Sequence, residues 1–584
     1  MRRHFTRLSV FLILTLEAAT AMSADLKTVY EKSAGKATAT YAEGMAFYRS
    51  LATSSPALRL FERGPTDSGK PLHVALFSPS GDFDPSSLHR KGIRILLINN
   101  AIHPGEPDGV EASMLWLRDV VMDKKASQHF AKLAVAIIPF YNIGGVLNRN
   151  NSTRVNQNGP ESYGFRGNAR NFDLNRDFIK ADTRNARSFA EIYHWLDPDV
   201  FLDTHTSNGA DYQHRLTILA TQADQLGGAL GAWLRSTFYA GLVKSFAARG
   251  EDPVPYVNAW QDTPDNGWTQ FLDSPRYSTG YTSLFHSIGF MTETHMLKPF
   301  DQRVIATRRF IDSLVEQTIA HAEQIGRLRA QDRSHSREQK QWALDYAVDR
   351  SRHSEIPFHG YAAKFKPSAV SGKPRRYYDR SEPIDRKVAF YDFFKASLEV
   401  PSPAGYIVPA GWWQVIERLQ ENGVHMHRLG KDQALPVERY RITKVETSRH
   451  PFEGHYLHTG IELKRENEIG HFSADDWMVP LDQDANAYIV AVLEPQAVDS
   501  FFRWNFFDTV LQRKEHFSAY VFEDLAAKLL AADEKLKASF EADKAANSTL
   551  ASDAHAQLEW LYAHSPHSEA AYMRYPVARL IEQR

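Results

Sequence analysis

The chain contains no cysteine. This excludes disulfides, cysteine nucleophiles and every thiolate-held zinc or iron–sulfur site, so a bound metal must rest on His, Asp or Glu. It also lacks an excess of either charge: 69 Lys and Arg against 70 Asp and Glu leave a net charge of −1 with His neutral. No basic field is on offer to nucleic acid or anionic lipid, and no nucleic-acid partner is expected. No apolar run reaches the ~20 residues that span a bilayer. The nucleophile elbow Gly-x-Ser-x-Gly and the zincin pattern His-Glu-x-x-His are both missing. Gly64 to Lys70 has the spacing of a phosphate-binding loop, but Pro71 stands where a magnesium-binding hydroxyl belongs. A β-like run follows it where a helix N-terminus would be needed. A hairpin turn between 58–62 and 72–77 accounts for these glycines.

What is present is an ordinary globular composition, 43% hydrophobic and 24% charged over 584 residues. The first 24 residues read as an export signal. Arg2, Arg3, His4 and Arg7 precede an apolar run over 8–16, and Ala19-Thr20-Ala21 supplies a small-residue cleavage pattern. The expected product is periplasmic or extracellular, with no stable membrane insertion once the signal is removed. Residues 25–330 alternate strand-like and helix-like segments. Apolar runs at 93–98, 133–140, 199–203, 216–220 and 288–292 read as buried strands. Val110, Met114, Leu117 and Val121 recur at helical spacing. The fold class predicted is α/β: a mixed, mostly parallel sheet with helices on both faces. A helical linker is expected over 331–356 and a β-rich accessory domain over 357–500, with Gly405 to Val408 and Tyr488 to Val492 as strands. A helical region over 501–584 follows, in which Leu525, Leu529, Ala532, Leu536 and Phe540 mark one amphipathic helix.

Chemistry concentrates at strand ends. His103-Pro104-Gly105-Glu106 follows the 93–98 strand as a turn, on the sheet edge where α/β proteins bind ligands. The pair can supply half of a His2Glu zinc site. His205, in Asp203-Thr204-His205, stands at the end of another buried strand and can supply the rest; Asp203 is expected to point to the opposite face. Asp173-Leu174-Asn175-Arg176 follows a densely polar segment, Arg149 to Arg170, that reads as a surface loop or the wall of a polar cleft. Glu293 lies in or just after an apolar strand, a position that is costly without a partner or a function.

In order and spacing these motifs resemble the zinc metallocarboxypeptidase family, over about half of the chain from Tyr41 to Val304. The resemblance implies one zinc per chain held by His103, Glu106 and His205, with Asp173 orienting His103. It implies Asn175 and Arg176 as holders of a peptide's free C-terminal carboxylate, Arg154 as the group polarising the scissile carbonyl, and Glu293 as general base. Arg149 competes for the role of Arg154. The tyrosine that closes over substrate is expected at Tyr277, with Tyr281 as the alternative. The C-terminal half, with Trp412, Trp413 and Trp477, matches no catalytic motif and looks like the accessory region of some large bacterial members; its tryptophans are expected to be buried core. The function implied is hydrolysis of C-terminal residues from peptides by zinc-activated water. An amidase of the same fold acting on cell-wall peptides and a silent peptide- or glycan-binding protein are the alternatives.

Overall fold

A computed structural model describes residues 26–260 and 262–581; the expected export signal lies outside them. Among the described residues no helix is long and apolar enough to cross a membrane.

The N-terminal half is built on strands β1 (Leu58–Pro65), β2 (Pro71–Phe77), β3 (Arg94–Asn99), β4 (Leu133–Ile138), β5 (Val200–Ser207), β6 (Leu216–Ala220), β7 (Val254–Pro255), β8 (Trp268–Thr269) and β9 (Ile288–His295). All but β8 join one sheet in the order β1-β2-β4-β3-β5-β9-β6-β7. The central pairs β3–β4, β3–β5 and β5–β9 are parallel. The edge pair β1–β2 is the antiparallel hairpin, with Gly64 at an irregularity near the end of β1 and Lys70 closing the turn. Every residue of β4 and β5 is buried, so both faces of the sheet centre are covered. That is why these strands read as unbroken apolar runs instead of alternating ones. Helix α1 (Asp108–Met122) carries the Val110, Met114 and Leu117 stripe, which is buried, and packs against the later helix α2 (Phe300–Ala320). Register sets the site: Asn99 pairs with Asp203, and His205 with Glu293, at the C-terminal ends of β3, β5 and β9.

Downstream lie β10 (Gln341–Val348), β11 (Ser354–Pro367), β12 (Pro374–Tyr391), β13 (Phe394–Pro401), β14 (Gly405–Val408), β15 (His427–Arg428), β16 (Gln433–Thr447), β17 (His458–Phe472), β18 (Trp477–Pro480) and β19 (Ala578–Leu580). β11 and β12 form a long hairpin that β8 of the first half extends. A six-stranded sheet runs β15-β18-β14-β19-β16-β17, so the end of the chain returns to it as a strand. One continuous cluster of buried apolar side chains runs through both halves, and Phe285 stacks on Tyr488 across them.

Four local expectations differ from what is found. The linker stretch 331–356 is helical only to Glu338, after which β10 pairs with β13. Tyr488 to Val492 is not a strand but most of the helix Asn486–Leu493, which is buried on nearly all sides. A short apolar run cannot signal its own period when every face is covered. The expected single amphipathic helix splits into Ala519–Ala532 and Glu534–Ala546, because the Asp533 side chain accepts from the Lys535 and Leu536 amides and caps a new start. Trp413, expected in the core, is 56% exposed.

Candidate metal and peptide site

His103 and Glu106 sit on the turn after β3, which the Glu106 N–H closes on the His103 carbonyl at 2.8 Å. Gly105 between them allows a close approach, since a Cβ there would lie 2.5 Å from Cδ of Arg154. His205 projects from β5. The three side chains are buried and converge. His103 Nδ1 and His205 Nδ1 are 3.1 Å apart, His205 Nδ1 is 3.1 Å from Glu106 Oε2, and His103 Nδ1 is 3.3 Å from Glu106 Oε1.

The remaining ring nitrogens fix the tautomers. His103 Nε2 lies 2.9 Å from Asp173 Oδ1, so the proton belongs there and Nδ1 is bare. His205 Nε2 faces Asp203 Oδ2 at 3.1 Å, a contact within ion-pair range though not aligned as a hydrogen bond. Once His205 gives up the proton that its Nδ1 can donate to Glu106, two imidazole nitrogens and a carboxylate oxygen face one another in a buried place, an acceptor set that a cation would hold together. Tetrahedral zinc ligated at 2.0–2.1 Å would space two nitrogens roughly 3.3 Å apart. The donor set fits zinc.

Charge is arranged to keep the set ionised. Burial would raise Glu106, but Arg154 and His103 hold it well below the usual carboxylate range. Burial likewise opposes ionisation of Asp173, and His103, Arg166 and Arg176 outweigh it. Asp203 and Glu106 raise His205 against the effect of its burial. Glu293 goes the other way. Among the described residues no hydrogen bond or ion pair reaches its carboxylate, and burial pushes it up to about 7.

These groups line a cavity of about 530 Å³. Asn175 and Arg176 enter it from a short 3-10 turn capped by Asp173. The Asn175 Oδ1 accepts from the Ser278 amide, which leaves its NH2 to donate. The Arg176 guanidinium lies 4.5 Å from the centre of the Tyr277 ring. Tyr281, the alternative, is fully buried and donates to Asn422 at 2.5 Å, so it cannot reach the cavity. Arg149 is also removed from it, spent on the Thr38, Ala39 and Ser162 carbonyls. Arg154 lines the cavity but is committed: it donates to Glu106 at 2.8 Å, to Gln157 and to the Thr206 carbonyl.

One residue was not singled out from sequence, and another was expected on the wrong face. Arg166 lines the cavity with a side chain 44% exposed, its guanidinium on Asp173 at 2.9 Å and 3.6 Å from Glu106. Nothing in a polar segment with several arginines distinguishes this one by spacing. Asp203, expected on the opposite face, shares the face of His205, because residues two apart in a strand point the same way. A second convergence of His214, Asp252 and His359 is closed by its own hydrogen bonds. The His359 amide donates to His214 Nε2, so the His214 proton sits on Nδ1 and faces Asp252, which leaves no lone pair for a metal.

The chain matches no family model. Carboxypeptidase 2 of Trichophyton equinum is 22% identical over 445 residues, 74% of this chain and 76% of that protein. Carboxypeptidase 2 of Trichophyton rubrum is 22% identical over 477 residues, 78% of this chain and 81% of that protein. The chain is thus similar to carboxypeptidases over 74–78% of its length. Among solved structures, the carboxypeptidase A of Helicoverpa armigera aligns with 54% of this chain and 82% of its own at 13% identity, with a TM-score of 0.36. The metallo-carboxypeptidase of Burkholderia cenocepacia aligns with 48% and 68% at 14% identity, with a TM-score of 0.35.

Proposed function

We propose that the chain is an exported zinc carboxypeptidase that removes C-terminal residues from peptides. The observation that carries this reading is the convergence of three possible ligand atoms, His103 Nδ1, His205 Nδ1 and a Glu106 oxygen, in one cavity with the Arg176 guanidinium and with Glu293, whose carboxylate has no partner among the described residues. When bound, zinc supplies Lewis-acid polarisation of water and of a peptide carbonyl. Glu293, poised near neutrality, takes the proton of the attacking water and returns it to the leaving amine. Arg166, with its open guanidinium, donates to the oxygen that gains charge as the carbonyl is attacked. Arg154 instead keeps Glu106 ionised and in place. Arg176 and Asn175 hold the terminal carboxylate, the arginine through charge-assisted hydrogen bonds, and Tyr277 closes beside them. Asp173 holds the ring of His103.

The test is turnover on paired peptides with free and amidated C-termini, alongside metal analysis. Zinc near one per chain and strong preference for the free terminus are expected, with Arg176→Ala erasing the preference. Equal use of amidated peptides would replace this reading with an amidase or endopeptidase.

A further inference from the structure

The C-terminal half enters the site. The turn around Phe452–His455, between β16 and β17, is closed by paired backbone bonds between Phe452 and His455. It lies against the segment that carries Asp173 and Arg176. Glu453, in the left-handed region at φ 49°, accepts the backbone N–H of Asp173 at 2.9 Å. The next residue, Gly454 at φ 81°, presses on Phe172, whose ring would lie 3.1 Å from a Cβ there. His455 Nε2 lies 2.7 Å from Asp182 Oδ2, just past the same segment.

The other arm of the carboxylate pocket is held from the same side. Arg276, next to Tyr277, pairs with Asp499 at 2.6 Å and lies over the rings of Trp504 and Phe452, which stack on each other. Both walls around Arg176 are therefore fixed by residues from beyond position 450. A left-handed glutamate whose carboxylate reaches a backbone amide 280 positions earlier is an arrangement that only this docking explains.

We infer that the Phe452–His455 turn is part of the catalytic apparatus, with Glu453 as a positioning residue that fixes Asp173. It thereby fixes the His103 ring and the Asn175–Arg176 pair. The inference rests on the zinc carboxypeptidase reading above. Loss of an anchor that orients a ligand's partner acts one bond further out than loss of the partner itself, whose removal weakens metal binding by ~10–100-fold.

The test uses the full chain with Glu453→Ala, Glu453→Asp and Glu453→Gln. Zinc affinity is read by chelator competition, and KM and kcat on a peptide with a free C-terminus. The Ala variant loses the acceptor. The Asp variant keeps the charge but is too short to reach, and reads the proposal if the Ala variant fails to fold. Both are expected to hold zinc about threefold to tenfold more weakly and to raise KM about tenfold, below the range for a direct partner. Gln keeps an oxygen at the same reach and should return both values to within about twofold of wild type. Unchanged zinc affinity and KM in Ala and Asp, whatever their melting temperatures, would overturn the inference. So would a Gln variant as impaired as Ala, which would assign the effect to charge. A wild type that binds no zinc would instead bring down the functional reading.

Discussion

Glu293 in the N-terminal half and Glu494 in the C-terminal half are both carboxylates drawn away from bulk water, and their surroundings differ completely. Glu494 is 1% exposed and fully partnered: it accepts from Tyr406 and Tyr440 at 2.7 and 2.8 Å, and Arg579 lies 3.2 Å away. Glu293 faces the cavity with no hydrogen-bond or ion-pair partner among the described residues and is pushed up to about 7. A buried carboxylate with a complete set of partners holds structure together, whereas one kept without them is available for proton transfer. The same division separates the halves. Ion pairs of the C-terminal hairpin β16–β17, such as Arg439–Glu468 and Arg441–Glu466, bridge neighbouring strands. Those around the first half's cavity, such as Arg154–Glu106 and Arg166–Asp173, converge on one place instead.

The largest expected effect comes from the proposed metal ligands. His103→Ala and His205→Ala should each lose most of the bound zinc and, with it, turnover. Metal analysis after dialysis decides this, and full zinc in both variants would show the ligands to be wrongly named. Next comes the carboxylate pair itself. Glu293→Gln should keep zinc and fold and lose at least about a hundredfold in kcat, within the ~10²–10⁴ range of a positioned acid–base group. Glu494→Gln should do the reverse, leaving kcat intact while losing about 1–3 kcal/mol of stability from its hydrogen-bond network. Glu191→Gln, on an exposed helix position, is the neutral control. If the two buried variants change the same property, the comparison fails.

The two arginines give a third, smaller contrast. Arg166→Ala should lower kcat by about 10²-fold with zinc retained, the scale of one lost oxyanion donor. Arg154→Ala should weaken zinc retention first, because it leaves Glu106 without its closest cation. Chelator competition beside kcat separates them, and the opposite pattern would return the carbonyl-polarising role to Arg154.

The core strands were legible because a doubly covered parallel sheet leaves unbroken apolar runs, and Glu293 stood out as an acid inside one. Asp203 was legible in principle from its two-residue offset to His205. Arg166 was not, since choosing among Arg149, Arg154, Arg166 and Arg170 needs the path of the loop that carries them. Glu453 was beyond reach for a different reason. It acts at Asp173 only through the docking of two halves, and no local pattern encodes a contact over 280 positions. The helix at Asn486–Leu493 was misread for want of an exposed face to set its period.

The smallest expected effect tests whether the carboxylate comparison is a rule or a coincidence of two residues. Glu111, on α1, is completely buried away from the cavity and only half partnered. Its Oε1 accepts from the Thr38 hydroxyl and the Ala39 amide, whereas Oε2 makes no aligned hydrogen bond among the described residues; Thr28 and the Tyr30 amide stabilise the carboxylate more weakly. Burial outweighs those bonds and raises it from 4.5 to about 7. A carboxyl raised in this way keeps its proton in the folded chain between those values and loses it in the unfolded chain. The folded chain binds more protons there, so stability is greatest below about 4.5 and falls as pH rises through about 7, by at most about 3 kcal/mol. Glu111→Gln keeps the shape without the titration. It should leave kcat unchanged and flatten the fall of melting temperature between pH 5 and 8, measured beside wild type so that Asp273, also raised to about 7, cancels. Parallel curves would mean that Glu111 is ionised in place. Half-partnered burial would then be tolerated without function, and the lack of partners at Glu293 would lose its force as a sign of chemistry.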